Sequence, residues 1–310
     1  MVWWLNAVGI GQGVPFSLFD FKLLADTPAI PWLSGSVFYQ IFPDRFENGD
    51  PTNDPHHEAL PYRSWRRDTL PWGQPAPREA GLLPFYGGDL AGITQRLDYL
   101  ERLGVNAVYL NPIFSAYTNH RYDVADYEHV DPVLGGDAAL QALSEAFAQR
   151  GIHYILDIVP NHCGIGHPWF QAARKDPNSP YRNYYVWSDT DQKYQDARII
   201  FLDTEKSNWT WDEQAGQYFW HRFYSSQPDL NYDNPEVQAE MLKVMQYWLD
   251  LGIDGFRVDA VPYLFEREGT NCENLPETHA FLKQMRSYVD THYPGKVLIC
   301  EANQPPQDVV

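Results

Sequence analysis

Two carboxylate residues of this 310-residue chain stand in the same local context and have the chemistry of acids, bases or nucleophiles. Asp259 closes the segment GIDGFRVD, and Glu301 closes the segment KVLICE. A strand that follows a helix and ends in an acid presents that acid at the C-terminal face of a (β/α)8 barrel. Two such acids on neighbouring strands suit glycoside chemistry, which needs a nucleophile or base and a proton donor. The alternative is that each acid is a helix N-cap or a solvated surface group.

Strand and helix signals alternate around these acids. Apolar runs rich in β-branched and aromatic residues predict strands, and apolar residues three or four apart predict helices. The predicted strands are residues 37–42, 105–110, 152–159, 253–258 and 297–300. The predicted helices are residues 90–103, 138–150, 235–251 and 276–293. This alternation predicts an α/β fold with a parallel sheet and right-handed crossovers.

One long segment interrupts the alternation. Residues 163–232 are rich in Trp, Tyr, Asp and Asn and contain only short strand-like pieces, such as residues 198–202. So long an excursion is usually functional. We therefore expect a linker or remnant of a preceding domain over residues 1–35, three barrel strands in 36–162, an inserted domain over 163–232, and two further barrel strands in 233–310.

Composition restricts the partners. The net charge of −18, from 23 basic and 41 acidic residues, argues against nucleic acid, and no long uncharged apolar run predicts a membrane span. The three cysteines, Cys163, Cys272 and Cys300, are odd in number and widely spaced, which favours a reducing compartment. The N-terminus has no basic region before its apolar stretch. We expect a cytoplasmic protein, or one whose true start lies upstream.

Several ordered motifs resemble those of the α-amylase family of glycoside hydrolases, over residues 36–310. They are HRYD at 120–123, DIVPNH at 157–162, QPDLN at 227–231, GFRVD at 255–259 and the acid Glu301. The resemblance implies an incomplete (β/α)8 TIM barrel of about five βα units, with an irregular B domain inserted after the third strand. It also implies that Asp259 is the nucleophile and Glu301 the general acid of a retaining mechanism with a covalent glucosyl intermediate.

Four further residues are implied to contact the sugar. Arg257 stands two residues before Asp259, so both side chains should lie on one side of the strand. We expect the guanidinium of Arg257 to keep Asp259 ionised. His162 and Asp123 are expected to hydrogen-bond the sugar hydroxyls, and Tyr122 to stack on the ring. The alternative for His162 is a structural histidine at a strand end.

A structural calcium ion (Ca2+) is expected at an all-oxygen cluster early in the chain, because calcium takes six to eight oxygen ligands. Its ligands would be Asn48, Asp50, Asn53, Asp54, the carbonyl of Gly87, and Asp89. The spacing resembles the calcium loop of neopullulanase-type and cyclomaltodextrinase-type enzymes. The alternative is a polar turn that forms without metal.

A second metal site is implied by resemblance to trehalose synthases. Its ligands would be Asn161, Asp229, Glu266 and the carbonyls of Tyr263 and Leu264. The alternative is that Asn161 and Asp229 simply hydrogen-bond each other's loops.

The two parts of the chain resemble different members of the family. Residues 1–168 are similar to maltodextrin glucosidases and neopullulanase-like enzymes, whereas residues 170–310 are similar to trehalose synthases. This change suggests a hybrid or mis-joined sequence. The first hypothesis is isomerisation of maltose to trehalose, and the alternative is hydrolysis of maltodextrins. A third hypothesis is sugar binding without catalysis, and the oligomeric state stays open.

The family's barrel continues beyond its fifth strand and carries a third catalytic acid in its seventh strand region. No such segment follows Glu301 within these 310 residues. We therefore expect this polypeptide by itself to be inactive or nearly so, and measurable maltose turnover would contradict that expectation.

Overall fold

The structure is a computed structural model that describes residues 3–6, 9–12, 20–23, 30–55, 58–59, 66–75 and 84–305. Its strands are β1 (Trp3–Asn6), β2 (Gly9–Gly11), β3 (Asp20–Leu23), β4 (Phe38–Ile41), β5 (Glu58–Ala59), β6 (Arg66–Thr69), β7 (Pro84–Phe85), β8 (Ala107–Leu110), β9 (Phe114–Ala116), β10 (Val124–Val130), β11 (His153–Ile158), β12 (Trp187–Ser188), β13 (Trp209–Asp212), β14 (Gln217–Trp220), β15 (Gly255–Val258) and β16 (Val297–Cys300). Its helices are α1 (Leu90–Gln95), α2 (Leu97–Arg102), α3 (Gly136–Gln149), α4 (Pro168–Lys175), α5 (Pro235–Asp250) and α6 (Pro276–His292).

Five strands form one parallel sheet in the order β16-β15-β11-β8-β4. All five were predicted from the sequence, and the parallel arrangement is confirmed. Each strand pairs with the one before it in this series, and helices lie in the connections, as in βα units. The carboxyl ends of all five strands therefore meet at one edge of the sheet.

The helices between these strands bury one face each. On α5, the apolar residues Val237, Met241, Val244 and Trp248 recur every three or four positions, and all are buried. The predicted helices 138–150, 235–251 and 276–293 are confirmed within one or two residues as α3, α5 and α6.

The single helix predicted over residues 90–103 is instead two short helices, α1 and α2. Arg96 separates them with φ −101° and ψ 10°, outside the helical region. Its guanidinium reaches away from the helix axis to Glu47, with Nε 2.7 Å from Oε2. The spacing of apolar residues did not predict this break between α1 and α2, because Glu47, the partner of Arg96, lies in another part of the chain.

The segment 163–232 contains α4 and a three-stranded antiparallel sheet in the order β12-β14-β13. The strand-like piece predicted at residues 198–202 is wrong, since no ladder pairs with it in the described structure. Its side chains explain why. Arg198 is held by Glu273 across 2.7 Å, while Leu202 is 79% exposed.

Two smaller features complete the fold. Strands β9 and β10 pair antiparallel, and the loop of residues 117–123 joins them beyond the end of β8. About half of the predicted linker over residues 1–35 lies outside the described residues, and its described parts include an antiparallel sheet in the order β2-β1-β3. Among the described helices, none has the length and apolarity to cross a membrane.

Candidate active site

A cavity of about 330 Å³ contains five of the six residues that the sequence predicted for catalysis and sugar binding. Its lining residues are His120, Tyr122, His162, Phe201, Phe223, Tyr224, Gln227, Arg257, Asp259 and Glu301. The sixth predicted residue, Asp123, is not among them.

Asp259 and Glu301 each follow the last residue of a parallel strand. The Asp259 amide donates to the Ile158 carbonyl at 2.9 Å, and the Glu301 amide donates to the Val258 carbonyl at 2.9 Å. The sheet ladder thus continues to both acids and fixes their backbones side by side. Their burial differs: Asp259 is 8% exposed, whereas the Glu301 side chain is 46% exposed.

Arg257 connects the acids. Its Nη1 lies 2.5 Å from Asp259 Oδ1 and 3.0 Å from Asp157 Oδ1. Its Nη2 lies 3.4 Å from Glu301 Oε2. One guanidinium therefore faces three carboxyl groups at the carboxyl edge of the sheet.

Burial raises the pKa of two of these acids, and the charges around them modify the shift. Burial raises the pKa of Asp157 to about 6, although Arg257 and two tyrosine hydroxyls act to lower it. Burial, with the charge of Asp157, also raises the pKa of Asp259 well above its ordinary value, and Arg257 offsets this only in part. The predicted contact between Arg257 and Asp259 is confirmed. Arg257 itself acts to lower the pKa of Asp259, and the role expected for it, keeping Asp259 ionised, stays a prediction.

Asp157 belongs to the motif at 157–162, but sequence analysis did not single it out. It is fully buried inside β11, and both Tyr109 and Tyr122 donate hydroxyl hydrogen bonds to its Oδ2, the latter at 2.8 Å. The Asn111 amide in turn donates to the Tyr122 hydroxyl at 3.0 Å. An acid within an otherwise apolar strand was the available signal.

Two neutral histidines reach the cavity. Burial lowers the pKa of His162 to about 3, and its Nε2 lies 3.3 Å from the Gln227 amide nitrogen. Burial also lowers the pKa of His120. Its Nδ1 accepts from the Tyr122 amide at 3.0 Å, while its Nε2 is buried without a hydrogen-bond partner among the described residues. The neutral His120 ring thus carries its proton on Nε2, free to donate to a bound hydroxyl.

Asp123 contacts its own loop. Its Oδ1 accepts a hydrogen bond from the Thr118 hydroxyl, and its Oδ2 accepts from the Tyr117 amide at 3.2 Å. The residue is 2% exposed. A sugar contact by Asp123 stays a prediction, and His120, from the same motif, lines the cavity although it was not among the predicted site residues.

An aromatic wall from the segment 163–232 closes one side of the cavity. Phe201 stacks on Tyr224 with ring centroids 4.4 Å apart, and Phe223 lies 5.0 Å from the ring of His162. Sequence analysis did not predict these residues, because irregular segments carry no periodic signal that indicates which side chains face inward.

The residues of the first predicted calcium site lie together. Asn48 Nδ2 donates to Asp54 at 2.9 Å, and a Cβ at Gly87 would lie 2.1 Å from Asp54 Oδ1. The Oδ1 atoms of Asn48 and Asn53 are buried without hydrogen-bond partners among the described residues, which fits a cation.

Two acids of this first site have other partners. Asp89 accepts from the amides of Gly49 and Gly92, and Asp50 accepts from Thr52, as in a polar turn. In the part of the chain that the structure describes, no three His, Cys, Asp or Glu side chains form a metal-holding group.

At the second predicted metal site, more of the buried side-chain oxygens lack hydrogen-bond partners in the described structure than at the first. Asn161 Oδ1, Asp229 Oδ2 and Glu266 Oε1 are all buried and lack hydrogen-bond partners among the described residues. Burial raises the pKa of Asp229 to about 8, and burial with the charge of Asp229 raises that of Glu266. Unpartnered buried acceptors of this kind fit a bound cation. Tyr263 ends a short 3-10 helix (Val261–Tyr263) that Leu264 caps, two residues before Glu266.

Parallel βα strands with acids at their carboxyl ends define the class of barrel-type enzymes. Within this class, the chain belongs to the α-amylase family: residues 40–310 match the alpha amylase catalytic domain.

A trehalose synthase and two solved structures are similar to this chain. The trehalose synthase of Pimelobacter sp. (strain R48) is 57% identical over 224 residues, which are 72% of this chain and 39% of that protein. The ligand-free cyclic alpha-maltosyl-(1→6)-maltose hydrolase of Arthrobacter globiformis is 34% identical with a TM-score of 0.65, and the match covers 88% of this chain and 52% of that one. The trehalulose synthase of Pseudomonas mesoacidophila MX-45 is 29% identical with a TM-score of 0.70, over 88% of this chain and 46% of that one.

These matches bear on the expectation that residues 1–168 and 170–310 resemble different enzymes. The 224 residues matched to the trehalose synthase are more than residues 170–310 contain, so that likeness also reaches upstream of residue 170. The chain spans 39% of that relative's length.

Proposed function

We propose that the full-length protein is a retaining α-glucoside-active enzyme that isomerises maltose to trehalose. The observation that carries the proposal is that a single residue, Arg257, contacts both Asp259 and Glu301 at the ends of adjacent strands. The likeness to an enzyme named trehalose synthase, at 57% identity, supports this reaction.

The first half-reaction transfers glucose to the protein. The Asp259 carboxylate attacks C1 of the non-reducing glucose of maltose, and the bond from C1 to the glycosidic oxygen breaks. Glu301 gives its proton to that oxygen, so glucose is released and a glucosyl ester forms on Asp259.

The second half-reaction returns the glucosyl group to a different oxygen. The released glucose stays in the cavity and turns, and its anomeric hydroxyl attacks C1 of the ester. The Glu301 carboxylate takes the hydroxyl proton, the bond to Asp259 breaks, and trehalose forms with both acids restored.

The sugar subsite is proposed to use the side chains that line the cavity. His120 donates from Nε2 to a sugar hydroxyl, the neutral ring of His162 hydrogen-bonds another, and Tyr122 packs on the sugar ring. Asp123, from the same loop, is retained as a proposed hydroxyl contact. Neutral histidines suit this role because a sugar carries no charge to balance.

The aromatic wall is proposed to favour isomerisation over hydrolysis. Phe201, Phe223 and Tyr224 cover one side of the cavity and exclude water while glucose turns. In this proposal residues 163–232 form the B domain of the family, inserted between the third and fourth barrel strands, and their functional contribution is this wall.

Two calcium ions are proposed as structural components. One would be held by Asn48, Asp54 and their neighbours, and the other by Asn161, Asp229 and Glu266. When bound, calcium supplies positive charge that balances buried carboxylates and orders the loops that carry them. The reaction steps use only Asp259 and Glu301.

A second candidate reaction is hydrolysis of maltodextrins by the same two acids. Glu301 is nearly half exposed, which gives water a path to the ester, and one solved relative is named a hydrolase. A non-catalytic sugar-binding protein is disfavoured, since Asp259, Glu301 and Arg257 are all present and in contact.

The test is to incubate the full-length protein with maltose in water enriched in oxygen-18 and to identify the products by chromatography and mass spectrometry. Isomerisation yields trehalose without the label. Hydrolysis yields glucose with the label at its anomeric oxygen. Labelled glucose without trehalose would reject the isomerase proposal, and an Asp259→Asn variant is the blank for contaminating activity.

A further inference from the structure

The loop of residues 117–123 sends successive side chains to opposite sides. His120 and Tyr122 line the cavity, with ring centroids 5.6 Å apart. Arg121, between them, is 1% exposed and points into the protein interior. A buried arginine between two cavity residues therefore calls for a structural explanation, because burying an unpaired charge is costly.

The guanidinium of Arg121 fastens the loop to the base of its own hairpin. Its Nε donates to Asp131 Oδ2 at 2.9 Å, and both side chains are nearly fully buried. Its Nη1 donates to the Asn119 carbonyl at 3.0 Å. A single side chain thus bonds the loop backbone and the residue that follows β10.

Asp131 is itself fixed. Its amide donates to the Ile113 carbonyl at 2.8 Å, just before β9, and its Oδ1 accepts from the Val133 amide at 3.2 Å. Asp131 therefore lies at the end of the β9–β10 pair where Val130 pairs with Phe114. Movement of the loop relative to the sheet would break the contacts of Arg121.

The backbone of Arg121 indicates that its side chain has a function beyond the turn. Its φ is 60°, a left-handed conformation that favours glycine. If the turn alone were needed, glycine would supply it without strain. The arginine occupies this conformation while its guanidinium makes buried, charge-assisted hydrogen bonds.

We propose that Arg121 is a positioning residue of the sugar subsite, which holds the loop from behind so that His120 and Tyr122 face the bound sugar. The inference rests on the proposed function, because it assumes a sugar in this cavity. It extends to the catalytic acids, since the Tyr122 hydroxyl donates to Asp157, which shares Arg257 with Asp259.

The test compares three variants of the full-length protein. Arg121→Gly keeps the left-handed turn but removes the guanidinium. Arg121→Lys keeps the positive charge but cannot donate hydrogen bonds to Asp131 and Asn119 from a planar group. Arg174→Gln is the matched control, because Arg174 pairs with buried Asp212 at 2.8 Å and neither neighbour in the chain lines the cavity. Maltose KM and kcat, the Kd of the glucose-shaped iminosugar deoxynojirimycin and Tm are measured for each.

Arg121→Gly is expected to raise KM and the Kd of deoxynojirimycin by roughly tenfold or more, since small displacements of positioning groups have large effects. Arg121→Lys should recover part of that loss, and Arg174→Gln should lower Tm while leaving both constants within about twofold, as expected for a site away from the cavity. Unchanged constants in Arg121→Gly, or an equal rise in the control, would overturn the inference. If the unaltered protein turns over maltose and binds deoxynojirimycin, such a failure concerns Arg121 alone. If it does neither, the proposed function fails.

Discussion

Arg257 Nη1 lies 2.5 Å from Asp259 Oδ1, two residues further along the same strand. The contact follows from the two-residue period of a β-strand, which turns both side chains to one side. The contact does not give Asp259 the low pKa of an exposed carboxyl group. Burial and the nearby Asp157 raise the pKa of Asp259 despite the guanidinium.

The first prediction concerns the nucleophile. In the full-length protein, Asp259→Asn should reduce maltose turnover by about 10³-fold or more, because an amide cannot form the glucosyl ester. Binding of maltose, measured by calorimetry, should persist. Asp254→Asn is the control, since Asp254 lies just before the other end of the same strand and pairs with Lys296. Comparable turnover in Asp259→Asn and the unaltered protein would exclude Asp259 as nucleophile.

The second prediction concerns pH. Burial and the charge of Asp157 raise the pKa of Asp259, so the nucleophile becomes ionised only as pH rises, and kcat/KM should increase with pH on the acid side. Arg257→Gln removes a charge that lowers the pKa of both Asp157 and Asp259, so this acid limb should move to higher pH. The pH profile of kcat/KM is the measurement. Arg150→Gln, which removes a surface ion pair, should leave the limb in place. A downward shift in Arg257→Gln would contradict the assignment.

The third prediction separates the two acids. Glu301→Gln should lower maltose turnover by about 10²- to 10⁴-fold, because the leaving oxygen loses its proton donor. In a single turnover, release of fluoride from α-glucosyl fluoride should fall far less, since fluoride leaves without protonation and the step that uses Glu301 as a base comes afterwards. The ratio of the two rates is the readout. An equal loss on both substrates would indicate a role other than proton donation.

The fourth prediction concerns calcium. Calorimetric titration should give two calcium equivalents for the unaltered protein and one for Asp229→Asn. Calcium at about 100 times its Kd should stabilise the fold by about 2.7 kcal/mol per site, and chelation should lower Tm. Without calcium, Asp229→Asn should be at least as stable as the unaltered protein, because it removes a buried acid. Asp233→Asn, at an exposed ion pair with Arg267, should keep both equivalents. Full calcium binding by Asp229→Asn would reject the second site.

The sequence determined the parallel sheet and the two candidate catalytic acids. Strands β15 and β16 are local apolar runs between helices, so their type, order and terminal acids are encoded within a few residues of Asp259 and Glu301. The contact between Arg257 and Asp259 also depends on local spacing alone. The roles of these residues, and of the calcium ligands, stay predictions.

Only the tertiary structure decided which other groups join them. His120 and the aromatic wall of Phe201, Phe223 and Tyr224 reach the cavity through loops whose course depends on distant contacts. The break between α1 and α2, the unpaired segment 198–202 and the direction of the Asp259 pKa shift were likewise beyond sequence analysis. Burial and net charge around a group are sums over residues from the whole chain, whereas periodicity records only neighbours along it.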